Sequence, residues 1–304
     1  MKEGYLPKDQ RKKILLICDD IRMHSGIATV GKEVVLGTAH KYNWVNIGGA
    51  IQHPDFGKRF DLSTDSGLQC GVEDASVMLY PSNGYGDPAF LRQIRDIEKP
   101  DAIMLITDPR YFTWLFAIES EIRKEIPIIY LNIWDDLPAP YYNKAFYESC
   151  DVLFGISKQT VNINKLVLGE KAKKKIIKYV PHGLNTDNYF PIENKNQDKE
   201  FQEFKSKTLK GKDYEFVAFF NSRNIRRKQV PDTLLAFKVF VDNLPKEKQN
   251  KVALLLHTEL VSEHGTDLLA VVDTLLPGYN IIFTDSKYGP KEMNYLYNMA
   301  DVQM

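Results

Sequence analysis

The sequence predicts two doubly wound α/β domains, the second incomplete, with a ligand cleft between them. Three observations predict it. Short, almost continuously apolar runs alternate with longer amphipathic stretches along the chain. Strands apolar on both faces belong in a parallel sheet covered by helices. The alternation stops at a polar stretch and then restarts, and 304 residues exceed what one core usually supports.

The elements follow in order. Residues 14–18 (ILLIC), 44–47, 77–80, 102–106, 128–131 and 152–154 are expected strands, each a short apolar run. Helices are expected over 27–40, 88–97, 111–125, 141–148 and 158–168, where apolar residues recur at helical spacing. The pattern breaks at 181–212, a charged stretch carrying Pro181, Gly183, Pro191 and Gly211. Strands at 216–220, 252–256 and 280–283 then alternate with helices at 230–241, 266–275 and 291–299, and Val302 opens a further strand. The first domain is expected over 1–185, a linker with one exposed helix over 186–212, and a partial second domain over 213–304.

Composition narrows the function. Lys+Arg and Asp+Glu are equal at 40 each, so no global field draws the chain to nucleic acid or to an anionic membrane. Cys18, Cys70 and Cys150 match no metal-ligand or disulfide spacing. There is no secretory apolar region and no stretch near the roughly 18 apolar residues of a membrane span. The expectation is a cytoplasmic, soluble protein with no cofactor and no metal. No Asp-x-Asp occurs. A single glycine, Gly26, in place of G-x-G-x-x-G, makes a dinucleotide oxidoreductase a distant alternative.

Chemistry concentrates at strand ends. Gly26 lies between the first strand and its helix, where helix amides favour an anion or sugar hydroxyls; an ordinary tight turn is the alternative. Arg223, Arg226, Arg227 and Lys228 fill the connection after 216–220. Guanidinium grips phosphate bidentately and ammonium adds a point charge, so Arg223 and Lys228 are candidate diphosphate ligands; a solvated basic loop is the alternative. His182 lies in a Pro/Gly turn. His257 and Thr258, with Glu259, follow the strand at 252–256 and are further donor-side candidates. Asp108 follows the strand at 102–106, as a site residue or as the cap of the next helix. Trp134, Asp135 and Asp136 follow the strand at 128–131, where an indole stacks on a sugar and carboxylates accept its hydroxyls; a cap or turn is again the alternative.

These segments, in this order, resemble the GT-B glycosyltransferases, in particular the retaining branch that includes glycogen and sucrose synthases and bacterial mannosyl- and glucosyltransferases. Ser25-Gly26-Ile27 is similar to the family's first-strand loop. Pro181-His182-Gly183-Leu184-Asn185 with Phe190-Pro191 is similar to the segment closing its first domain. Arg223, Lys228, Leu235, Ala236 and Phe237 are similar to the segment opening its second. Met293, Tyr295, Leu296, Tyr297, Ala300, Asp301 and Val302 are similar to a later helix. Ser222 and Gln229 stand where the family has glycine, and Asp108 lies in a loop that in the family carries a histidine near the transferred sugar. The family's serine loop and paired glutamates follow this helix, so the resemblance implies a C-terminally truncated second domain, lacking also the final helix that packs back on the first. It further implies two Rossmann-like domains, a nucleoside diphosphate sugar donor and a hydroxyl acceptor (saccharide, lipid-linked or other). The reaction implied is metal-independent, retaining hexosyl transfer, with Asp108 as the catalytic candidate, Arg223, Lys228 and Gly26 on the diphosphate, and Trp134, Asp135 and Asp136 on the acceptor.

Two rivals share the fold. One is a phage-type DNA base glycosyltransferase, for which Lys171, Lys173, Lys174, Lys175 and Lys178 supply a local basic run; a solvated helix end is the alternative, and zero net charge disfavours nucleic acid. The other is a nucleotide-sugar-binding module without turnover.

Overall fold

The apolar run at 14–18 is the middle of a longer strand, β1 (Lys12–Asp19), buried from Ile14 onward. The computed structural model in which it lies describes residues 3–49 and 54–304. By contact the chain divides into two units, Met1–Gly183 and Leu184–Met304.

In the first unit β1 is followed by α1 (Gly26–Thr38), β2 (Tyr42–Gly49), β3 (Phe60–Asp61), α2 (Ser63–Cys70), β4 (Val77–Pro81), α3 (Pro88–Glu98) and β5 (Ala102–Ile106). Then come α4 (Thr113–Phe116), α5 (Glu119–Ile122), β6 (Ile128–Asn132), α6 (Lys144–Glu148), β7 (Val152–Gly155), α7 (Lys158–Leu168) and β8 (Ile176–Tyr179). The sheet order is β3-β4-β2-β1-β5-β6-β7-β8, parallel except for the β3–β4 pair. Side chains alternate along the strands into two cores. Leu15, Ile17, Val45, Ile103 and Leu105 face one way, toward Ile94, Leu115 and Ile163. Ile14, Leu16, Trp44, Met104 and Leu131 face the other, toward Val35 of α1. Both faces are thus apolar, as the unbroken hydrophobic runs require.

The second unit holds α8 (Lys199–Thr208), β9 (Phe216–Asn221), α9 (Val230–Asp242), α10 (Lys246–Gln249), β10 (Val252–His257), α11 (Leu268–Leu275), β11 (Ile281–Thr284), α12 (Pro290–Met299) and β12 (Val302–Gln303). Its sheet is parallel, in the order β11-β10-β9-β12. It too has two cores, one beneath α9 and α11 and one beneath α8 and α12.

The elements depart from the sequence pattern in three places. Residues 186–212 belong by contact to the second unit. Within them α8 buries Phe201 to 1% exposure, against Tyr295 of α12 at 5.5 Å between ring centroids. The helix expected over 111–125 is broken into a 3-10 turn at Pro109–Phe112, α4 and α5. Its apolar stripe (Phe112, Leu115, Ile122, Ile126) is interrupted at Glu119, so no continuous face holds it on the sheet. The lysine-flanked stretch 176–179 is the edge strand β8, with Ile176 and Tyr179 exposed.

Candidate functional site

β1 and β5 lie side by side, yet the chain leaves them in opposite directions, from β1 to β2 and from β5 to β6. Such a switch point opens a crevice beyond the strand carboxyl ends. Polar and aromatic groups meet here. Asp19, 6% exposed, accepts hydrogen bonds from the Ser25 hydroxyl and from the Tyr85 hydroxyl at 2.7 Å. Burial and the Asp19 carboxylate push the Tyr85 phenol well above its ordinary pKa. The Tyr85 ring packs 5.0 Å from Tyr111 and edge-on to Phe112 at 5.7 Å. Ser25 also caps α1, accepting from the Ala28 amide at 3.0 Å.

Gly26 opens α1 and is exposed; a Cβ built there meets no atom within 4 Å. The fold itself does not demand glycine at this position, and it leaves the helix start open. Two other glycines are demanded. A Cβ on Gly48 would lie 2.8 Å from the Asp20 Cα, and one on Gly49 would lie 2.1 Å from the Gly84 carbonyl oxygen. The loops after β1 and β4 close on the end of β2 only because both are glycine. Sequence reasoning missed Asp19, Tyr85 and this glycine pair. The available signal was Gly48-Gly49 ending a strand, a mark of close backbone approach.

Asp108 caps the turn after β5, accepting from the Arg110 amide at 2.9 Å, and pairs with the Arg110 guanidinium at 2.9 and 2.5 Å. Burial pushes this carboxyl up, but Arg110 outweighs it and holds the pKa below its usual value. Thr107, just before it, has φ of 125°. That region costs a β-branched residue on the order of 1–3 kcal/mol and persists where neighbours enforce it; here the Tyr130 hydroxyl holds the Thr107 carbonyl at 2.9 Å. Beyond β6, the Trp134 amide donates to Asn132 at 2.9 Å and its indole N–H to the Asp136 carbonyl at 3.1 Å. The Trp134 carbonyl accepts from the Thr160 hydroxyl of α7 at 2.8 Å. The indole is thereby fixed, while Asp135 and Asp136 are exposed. The structure thus brings Asp108 and the 134–136 loop to the ends of neighbouring strands. His182 is exposed and follows the edge strand β8, where the Val180 amide bonds the Gly155 carbonyl at the end of β7 at 2.9 Å.

In the second unit the corresponding end of the sheet carries the cations. β9 runs into residues 222–229, where Arg223, Arg226, Arg227 and Lys228 are all exposed. The seven arginines of the first unit are each ion-paired: Arg11, Arg22, Arg59, Arg92, Arg95, Arg110 and Arg123. Arg223, Arg226, Arg227 and Lys228 have no carboxylate partner among the described residues. Gln229, in a left-handed conformation at φ 47°, leads into α9, and no side chain caps that helix. Pro231 has no amide N–H, and the Asp232 and Thr233 amides turn back on the Gln229 carbonyl at 3.0 and 3.3 Å, so the unpaired cations lie beside the positive end of the helix dipole. The neighbouring strand β10 ends in His257, in register with Asn221. His257 Nδ1 bonds the Thr284 hydroxyl at 2.9 Å, and its ring stacks on Tyr288 at 5.3 Å. Burial pushes its pKa down. Thr258 is 6% exposed, and its hydroxyl has no hydrogen-bond partner among the described residues. Arg223, Lys228, His257 and Thr258 thus share the ends of two adjacent strands. No group of three His, Cys, Asp or Glu among the described residues is placed to hold a metal ion. No described helix is long and apolar enough to cross a membrane.

No family model and no curated protein sequence matches the chain. Solved structures do. The chain is similar to the UDP-forming α,α-trehalose-phosphate synthase from Burkholderia xenovorans in complex with glucose-6-phosphate, with TM-score 0.64 and 12% identity over 96% of this chain and 78% of that chain. It is similar to the N-terminal domain of Candida albicans trehalose-6-phosphate phosphatase, with TM-score 0.61 and 15% identity over 99% and 77%. It is also similar to the UDP-GlcNAc 2-epimerase from Neisseria meningitidis bound to UDP-GlcNAc, with TM-score 0.56 and 12% identity over 96% and 76%. Identities this low carry the architecture and not the reaction. With a parallel, switch-pointed sheet in each unit, the chain has the fold of the GT-B glycosyltransferases, two Rossmann-like units in succession.

Proposed function

We propose that this chain is a glycosyltransferase that moves a hexosyl group from a nucleoside diphosphate sugar to a hydroxyl acceptor, with retained configuration and without a metal ion. One observation carries the reading. The second unit leaves its three arginines and Lys228 without a carboxylate, on one loop, at an uncapped helix start. Unpaired guanidinium groups at the positive end of a helix suit a diphosphate. As the bond from the anomeric carbon to the diphosphate breaks and the bond to the acceptor oxygen forms, Arg223 and Lys228 offset the charge on the leaving group. The buried Thr258 hydroxyl and His257 border the same loop and suit the donor. On the first unit, Trp134 offers an apolar face to a sugar ring, with the Asp135 and Asp136 carboxylates for its hydroxyls. Asp108, held by Arg110, lies one strand away, and the open start of α1 at Gly26 suits a phosphate or a hydroxyl.

Arg223→Ala and Lys228→Ala should each weaken UDP or GDP binding roughly tenfold or more, since hydrogen bonds between charged groups contribute about 1.5–3 kcal/mol. Calorimetric titration of both nucleotides into the native chain and the two variants measures this. Unchanged affinity in both variants removes the diphosphate assignment. The neighbour bound to UDP-GlcNAc favours a second reading, epimerisation of a nucleotide sugar. Incubation with UDP-GlcNAc and analysis of the sugar separates the two, since one reaction yields a glycoside and the other an epimer.

A further inference from the structure

Asn224 lies within the cationic loop, between residues that face solvent, yet it is only 1% exposed. Its carboxamide is engaged on both sides. Nδ2 donates to the carbonyls of Glu259 at 3.1 Å and Thr266 at 2.6 Å, and Oδ1 accepts from the Thr266 amide at 3.1 Å. The Arg226 amide adds a bond to the His264 carbonyl at 2.8 Å. Gly265 comes so close that a Cβ on it would lie 2.2 Å from Asn224 Oδ1 and 2.3 Å from the Asn224 carbonyl oxygen. One side chain on the loop after β9 and one missing side chain on the loop after β10 therefore lock the two loops together. Asn224 spends its amide inward, on backbone, and Gly265 has no side chain to offer.

We propose that Asn224 and Gly265 are positioning residues, a clip that sets the conformation of the loop from which Arg223 and Lys228 address the diphosphate; this rests on the diphosphate reading above. A bidentate guanidinium contact needs the fork at a fixed place and angle. A loop that must order itself on binding loses affinity for every side chain it immobilises. Asn224 adjoins Arg223 directly, so the clip removes that loss before the ligand arrives.

The test uses the whole chain and calorimetric titration with UDP and GDP. Asn224→Ala removes the three bonds, and Gly265→Ala forces the loops apart from the other side, so either variant suffices if the other does not fold. Each is expected to weaken binding about fivefold to tenfold, the size of an uncompensated loss of one or two hydrogen bonds. The decisive measurement is the double variant Arg223→Ala with Asn224→Ala, or with Gly265→Ala. If the clip acts through Arg223 and Lys228, the double variant loses less than the sum of the two single losses, because coupled residues are not additive. Additive losses mean general damage to the unit and overturn the proposal, as does wild-type affinity in both single variants. Failure of the unaltered chain to bind either nucleotide, or full affinity in Arg223→Ala, sinks the diphosphate reading itself and the clip with it.

Discussion

At the scale of single residues, the structure separates charges already spent from charges still available. Glu98 is spent. It is 7% exposed and holds the Tyr80 hydroxyl at 2.6 Å, Lys13 Nζ at 3.0 Å and Arg59 Nε at 3.2 Å. Burial pushes its carboxyl up, but Tyr80, Lys13 and Arg59 together hold it below its ordinary value near 4.5. A carboxyl whose folded pKa is lowered stabilises the fold above its unfolded pKa, and that stability is lost as pH falls through the folded value. Glu98→Gln should therefore cost about 1–3 kcal/mol at pH 7, the scale of charge-assisted hydrogen bonds. The gap from wild type should narrow below pH 4.5. Urea unfolding followed at pH 7 and at descending pH checks this, and a gap independent of pH refutes the linkage. Arg223, Arg226, Arg227 and Lys228 contrast with Glu98, because they have no ion-pair partner among the described residues.

At the scale of elements, burial explains what was legible. The strands 102–106 and 128–131 were readable because both faces are covered, leaving an unbroken apolar run. β8 was not, since at a sheet edge Ile176 and Tyr179 stay exposed and lysines flank them. The same reasoning applies to the site. Arg223, Lys228, His257 and Thr258 could be picked out by their position just past a strand. Asn224, Gly265, Asp19 and Tyr85 could not, because their roles depend on partners far away in sequence, such as Thr266 for Asn224 and Asp19 for Tyr85. Helix α8 shows the sharpest difference. Its charged sequence suggested an exposed helix in a linker, but Phe201 is buried against Tyr295 and Phe204 packs on Tyr288. Phe201→Ala should cost about 3–5 kcal/mol, as for other buried phenylalanines. It should also speed amide exchange in α8 and α12 while leaving β1 and β5 unchanged. Hydrogen exchange read by mass spectrometry resolves these segments; a variant with wild-type protection in α12 would return 186–212 to the status of a linker.

At the scale of the whole molecule, each unit has its own hydrophobic cores, and among the described residues no core cluster draws on both. Units with separate cores tend to melt as separate cooperative blocks, and a chain of this kind departs from two-state unfolding. The tryptophans make this testable. Trp44, Trp114 and Trp134 all lie in the first unit, and the second has none. Tryptophan emission therefore follows the first unit alone, while far-ultraviolet circular dichroism follows both. In a urea titration the two signals should not coincide. Glu98→Gln should move the emission midpoint, whereas Phe201→Ala should leave emission in place and shift only the remaining part of the dichroism signal. For an m-value of about 1–3 kcal/mol per molar urea, a change of about 3 kcal/mol moves a midpoint by roughly 1 M or more, well outside measurement error. Coincident curves that shift together in both variants would mean that the units unfold as one block, and that the cation-bearing sheet end owes its order to the first unit as much as to its own core.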